Sequence, residues 1–323
     1  YNTRGLLFLR NENYAQALEN FEKASEFRKN DFYLWINIGY TRYKTNDFAG
    51  AEAAYQKSIE LAPNYAQPQR YLGRFLLNNN QIERAFEHLG KAAEYDFEIY
   101  PELLHLARKR FPDNPAEIEK TAQANDVKSK KILANYLIKH HFMTESLKTF
   151  LTGEDLNDKE KNEFITYLIK KREFKLGYDV WASLSSHKNK FEKQEKNLIF
   201  DGGFENLVEN EETGFGWQIT ARNDTLAVFI DDKIRNSGSQ AVKIKFDGQS
   251  PTTTNVISQL IIVKSSQNYR LTFAVKAVEL TTGGLPLIII TDAVSNKNIA
   301  QSKVINSTNG KWIQQTVDFR TNE

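Results

Sequence analysis

Cysteine is absent from all 323 residues, which excludes disulfides, thiolate nucleophiles and cysteine-ligated metals. No run of 18 apolar residues occurs, so the sequence as given offers no membrane-spanning helix. A large excess of either charge is also missing. The 43 basic and 41 acidic residues give a net +2, split as 31 against 28 (+3) through Lys196 and 12 against 13 (−1) beyond it. A broad nucleic-acid-binding surface is therefore not expected, although residues 120–196 lean basic, 16 against 11 (+5). The five histidines show no metal spacing, since His140 and His141 are adjacent and fall on different helix faces. No glycine-rich loop carries a phosphate-binding lysine, and no Gly-x-Ser-x-Gly occurs. Acid pairs such as Asp155 and Asp158 belong to polar loops. With no residue for catalysis to rest on, the chain reads as non-enzymatic and without a required cofactor. It begins at Tyr1 rather than Met, within a helical pattern, and reads as a piece of a longer protein.

What is present is a repeat. Gly5, Gly39 and Gly73 recur every 34 residues, each inside an apolar stripe followed by a turn and a second stripe ending in a small residue. The middle copy has Trp35, Ile38, Gly39 and Tyr43, then Phe48, Ala51, Tyr55, Ser58 and Pro63. The first copy places Tyr1, Gly5, Phe8, Tyr14, Ala17, Phe21 and Ala24 in the same phase. The third places Leu72, Gly73, Leu76, Ile82, Ala85, Leu89 and Ala92 there. Small residues let two antiparallel helices approach, and each pair needs the next to bury its stripe. This phrase resembles the tetratricopeptide repeat, a binding scaffold, with clear repeats at 1–31, 32–65 and 66–99.

Beyond Asp96 the period fades while helix pairs continue. Tyr100–Arg110 stops before Pro112, and a helix over 115–124 starts at Asn114 with Pro115 in its first turn. Leu133, Ala134 and Leu137 precede Met143, Ser146 and Phe150; Ile165, Leu168 and Ile169 precede Phe174, Gly177 and Trp181. Residues 100–185 are therefore expected to be degenerate repeats, making 1–185 one α-solenoid with a polar break at 153–158. A linker is expected at 186–196.

From residue 197 the usage turns to Thr, Ser, Asn, Gly, Val and Ile, and the period to two. Val242, Ile244 and Phe246 alternate with lysines; Tyr269, Leu271, Phe273 and Val275 alternate similarly. Further strands are expected at 197–200, 217–220, 226–230, 256–263, 285–291 and 313–319, giving a two-sheet antiparallel sandwich over 197–323. The phrases Asn197-Leu-Ile-Phe-Asp-Gly-Gly-Phe-Glu205, Gly214-Phe-Gly-Trp217, Asn236-Ser-Gly-Ser-Gln-Ala-Val-Lys-Ile244 and Gly310-Lys-Trp312 resemble the jelly-roll carbohydrate-binding modules of the galactose-binding-like class. The resemblance implies a glycan ligand, a structural calcium held partly by Glu205, and a closing strand for which nothing after Asp318 supplies the usual acids.

Carbohydrate recognition needs aromatic faces and hydroxyl partners. Phe215, Trp217, Tyr269 and Trp312 are the aromatic candidates, with Asn223, Asp224, Gln259 and Asp292 as polar ones; Trp217 and Tyr269 read equally as core packing. For the repeats, the resemblance implies a groove lined by Tyr33, Ile36, Tyr40, Tyr43, Lys44, Arg70, Arg74 and Asn78, suited to a peptide or helix. Chaperone-binding members of that family clamp a terminal carboxylate with lysines and asparagines. Here Asn2 and Leu6 occupy two of those places, and Gln67 and Tyr71 two more, so that partner is not expected. Helical repeats followed by this module also resemble bacterial proteins of exopolysaccharide production, implying a periplasmic or cell-surface scaffold that binds a protein and a polysaccharide. A self-assembling filament subunit and an accessory fragment of a larger enzyme are the rival readings.

Overall fold

A computed structural model describes residues 1–185, 197–205, 214–219, 226–246, 253–280 and 284–322. The chain divides into two compact units, Tyr1–Thr144 and Glu145–Glu323.

The first unit holds nine helices: α1 (Asn2–Arg10), α2 (Tyr14–Phe27), α3 (Phe32–Lys44), α4 (Phe48–Leu61), α5 (Ala66–Asn78), α6 (Ile82–Tyr95), α7 (Tyr100–Arg110), α8 (Pro115–Ala122) and α9 (Val127–Lys139). The repeated phrase has a mechanical origin. A Cβ built on Gly5 would lie 2.6 Å from the Phe21 ring, one on Gly39 2.9 Å from the Tyr55 ring, and one on Gly73 2.8 Å from Leu89 Cγ. Each glycine is thus the socket for a large side chain 16 residues later, and Ala17, Ala51 and Ala85 complete the close approach at zero exposure.

The turns repeat as well. Glu12, Asn46 and Asn80, again 34 apart, take left-handed backbone angles. The next amide reaches back five residues in each case: Asn13 N to Phe8 O at 2.9 Å, Asp47 N to Arg42 O at 2.9 Å, and Gln81 N to Leu76 O at 3.0 Å. This closure satisfies the last carbonyls of the first helix. Asn13 and Asp47 then cap the second helix through the amides of Gln16 and Gly50. The same closure ends α9 at His141, where Phe142 N meets Leu137 O at 2.9 Å. After α7 the chain instead runs through Pro112, and Asn114 caps α8, whose first residue is Pro115. Core clusters draw on successive repeats: Phe21, Leu34 and Ile38 in one, then Tyr55, Leu72 and Phe75, then Phe86, Leu103, Leu104 and Ile118. That is the burial scheme of a stacked array, in which no helix pair is stable alone.

In the second unit come α10 (Glu145–Thr152), α11 (Asp158–Lys170) and α12 (Phe174–Ala182). Arg172 is left-handed, and Glu173 N bonds Leu168 O at 2.9 Å, so the repeat's turn joins α11 to α12. Trp181, 1% exposed, packs with its ring centroid 4.9 Å from Phe200 and 5.8 Å from Phe215. Gly214 (φ +102°) follows α12 in this cluster, with Ile165 and Trp181 against it. By packing, these helices therefore group with the residues that follow them. The linker expected at 186–196 lies outside the described residues.

The described strands pair two by two and antiparallel: β1 (Gln218–Ile219) with β4 (Ile257–Ser258), β2 (Leu226–Asp231) with β3 (Ala241–Phe246), β5 (Asn268–Val275) with β8 (Ile313–Arg320), and β6 (Ile289–Thr291) with β7 (Asn298–Gln301). The alternation read from the sequence is present in β5, where Tyr269, Leu271, Phe273 and Val275 are half-buried between exposed neighbours. Residues 197–200 form a turn rather than a strand, because Gln259 occupies the backbone of Phe200 from both sides: its Nε2 donates to Phe200 O at 2.8 Å and its Oε1 accepts from Phe200 N at 3.0 Å. The strand at 298–301 was not anticipated.

Candidate partner-binding face

The first helices of the pairs, α1, α3, α5, α7 and α9, make an A layer; α2, α4, α6 and α8 make a B layer. Within the A layer α3 packs on α5 and α7 on α9, while in the B layer α6 packs on α8. Asp31 caps α3 through the amides of Tyr33 and Leu34 and sets the phase of its side chains. Tyr33 is 56% exposed, and its ring lies 4.2 Å from that of Phe32, which also meets Tyr65 at 5.2 Å. One turn further along α3, Tyr40 and Tyr43 are half-buried. Tyr43 stands edge-on to Phe75 at 5.6 Å, and Lys44 Nζ lies 5.6 Å over the Tyr40 ring and 6.0 Å over Tyr14. On α5, Arg70 and Arg74 converge on one carboxylate of α7. Arg70 Nε donates to Glu102 at 2.7 Å, and Arg74 Nη1 lies 3.2 Å from it. Asn78 ends α5 exposed.

Seven of the eight residues expected on this face are thus at least partly open to solvent. Ile36 is not: at 3% exposure it is sealed in the core with Tyr55 and Leu72, because α3 lies directly on α5 there. Glu102 and Tyr71, 38% exposed, were missed. Glu102 falls where the repeat phase is no longer legible, so only its position in space reveals it. Tyr55, beneath the face, has its phenol pushed up by burial and by the nearby Tyr71, Tyr40 and Tyr43. Gln69, in the place of the repeat's tryptophan, is buried with its Oε1 2.7 Å from His88 Nδ1, and burial with the nearby Lys91 holds His88 below the usual imidazole range.

The residues expected to hold a glycan have structural occupations. Phe215 is 1% exposed, with Tyr178 edge-on at 5.4 Å, so it packs rather than presents a ring. Trp217 Nε1 donates to Asp201 O at 2.9 Å and its ring lies 4.9 Å from Phe204. Tyr269 stacks on Phe319 at 5.6 Å, and Trp312 is half-buried. Asp292 accepts from the amides of Val294 and Ser295 within its own turn. Asn223 and Asp224 lie outside the described residues. Glu205 accepts from Ser239 N at 2.9 Å and from its hydroxyl, and these bonds hold its carboxyl below the usual range. Among the described residues no three His, Asp or Glu side chains gather as a metal site.

The face belongs to a recognisable class. Residues 2–66 and 54–87 match family models of the tetratricopeptide repeat, and the N-terminal region carries such repeats. The peroxisomal targeting signal receptor of Candida albicans is 31% identical over 85 residues, and that of Candida glabrata 27% over 100. The tetratricopeptide repeat-containing protein trd-1 of Caenorhabditis elegans is 22% identical over 94. These matches span 26–29% of this chain and only 14%, 17% and 12% of the respective relatives. Among solved structures, MamA matches at 15% identity and a TM-score of 0.33, covering 53% of this chain and 95% of its own. The C-terminal part of a TPR repeat-containing protein from Cytophaga hutchinsonii matches at 13% and 0.33, covering 58% and 79%.

Proposed function

We propose that this chain is a non-enzymatic scaffold whose A layer binds a protein segment. One observation carries the reading: Tyr33, Tyr40, Lys44, Arg70 and Arg74, from two successive repeats, stand together as aromatic and cationic side chains on a face that the core does not consume. Rigid tyrosines supply contact area at low entropic cost and arginines supply directed donors, the combination that dominates interface energetics. The peroxisomal receptors support a repeat scaffold and lend no targeting role, since so little of their length is shared.

The test is a peptide array probed with the full chain. Tyr33→Ala and Tyr40→Ala should each weaken the best hits about tenfold, whereas Gln56→Ala on exposed B-layer surface should not. Hits that survive both tyrosine changes would refute the A layer as the binding face.

A further inference from the structure

The near-neutral charge of the chain conceals a separation by layer. The A-layer helices carry 13 basic side chains and one acidic one, net +12. The B-layer helices carry 5 basic and 10 acidic, net −5. Capping preferences do not produce this, because both sets of helices start and end alternately in the same turns. The single A-layer acid is Glu102, and it is the carboxylate gripped by Arg70 and Arg74. Arg42 turns back to Glu22 of α2 at 2.8 Å. Among the described residues, Arg10, Lys44, Lys109, Arg110 and Lys139 are exposed and have no carboxylate within ion-pairing distance.

From this segregation we infer that the partner of the A layer is an acidic protein segment, an extended run rich in Asp or Glu whose carboxylates spread over Arg10, Lys44 and the Arg70–Arg74 pair. The inference rests on the protein-binding reading above and adds the partner's chemistry. Glu102 shows the mode of recognition: a carboxylate held by two guanidinium groups from successive turns of α5, at 2.7 and 3.2 Å. It also sets a threshold, because an incoming carboxylate competes with Glu102 for those donors. A protein segment is favoured over a nucleic acid because the cations alternate with tyrosine hydroxyls and a carboxylate is already seated among them. A polyanion of phosphates would meet Glu102 as a repulsive charge.

The experiment uses the full chain and fluorescence anisotropy with three labelled probes: a peptide alternating Asp and Ser, the same peptide with Asn for Asp, and oligothymidylate of equal charge. The acidic peptide should bind tightest and weaken as salt rises. Arg10→Glu with Lys44→Glu should reduce its affinity about tenfold or more, and Lys57→Glu with Lys91→Glu on the B layer less than about twofold. Glu102→Gln should raise affinity severalfold, a gain that misfolding cannot mimic. Tighter binding of oligothymidylate, equal binding of the Asn peptide, or no response to the A-layer reversal would each overturn the inference. If neutral peptides from the array bind in a Tyr40-dependent way while the acidic one does not, the scaffold reading stands and the acidic partner falls. If no peptide binds, both fall.

Discussion

Gly39 and Tyr55 meet as backbone and ring: the phenol of α4 lies so close on α3 that a methyl at position 39 would come within 2.9 Å of its carbons. The ring is 2% exposed and touches Phe75 of the next repeat at 5.5 Å, so it has no slack. Gly39→Ala is therefore expected to destabilise the first unit by about 1–3 kcal/mol, despite alanine's better helix propensity. Urea titration by circular dichroism checks this, and an unchanged or raised midpoint would contradict the socket.

His88 should make stability pH-dependent in a defined direction. Its folded pKa lies below 6.5, chiefly through burial. Below pH 6.5 the unfolded chain takes up a proton that the folded chain resists, so stability falls as pH drops from 6.5 toward the folded pKa and is flat above it. His88→Gln should remove that component from a pH series of thermal melts. A slope that persists in the variant would assign it elsewhere.

Lys161, 6% exposed on α11, directs its ammonium at Thr152 O (3.3 Å), the last residue of α10, and at Ser183 O (3.4 Å), just past α12. One buried cation thereby serves the negative ends of two helices. Lys161→Met retains the stem but strands both carbonyls, with an expected loss of about 1–3 kcal/mol. Chemical denaturation followed by Trp181 fluorescence would report it.

Gly238 takes φ +68° in the turn before β3, and a Cβ there would collide with the Glu205 carboxylate. Gly238→Ala should cost about 1–3 kcal/mol through strain and loss of the Glu205–Ser239 bonds. Glu205→Gln should lose only the charge-assisted part. Equal melting of both variants and the parent would show that this bracket is not structural.

The helix pairs were legible because the glycine, the alanine and the large residue recur at fixed phase, each with a steric cause. Tyr100–Arg110 and the Asn114 cap were legible from proline and asparagine chemistry. The β region was readable only as alternation, since period two says which face a residue takes and nothing about which strand is its neighbour. Phe215 could not be placed from sequence because its partners, Tyr178 and Trp181, come from a helix almost 40 positions earlier. The charge segregation was present in the sequence all along. Summing over 196 residues averaged it to +3, and it emerges only when helices are counted by layer.

The turn at Glu12, Asn46, Asn80, His141 and Arg172 is one backbone shape built from four residue types. Asparagine enters the left-handed region readily; Glu12 and Arg172 do so against a penalty of about 1–2 kcal/mol each. Those two corners hold recoverable stability. Glu12→Asn and Arg172→Asn offer a route to a sturdier protein that leaves the A-layer helices unaltered, so hardening the scaffold and altering what it binds are separable engineering problems.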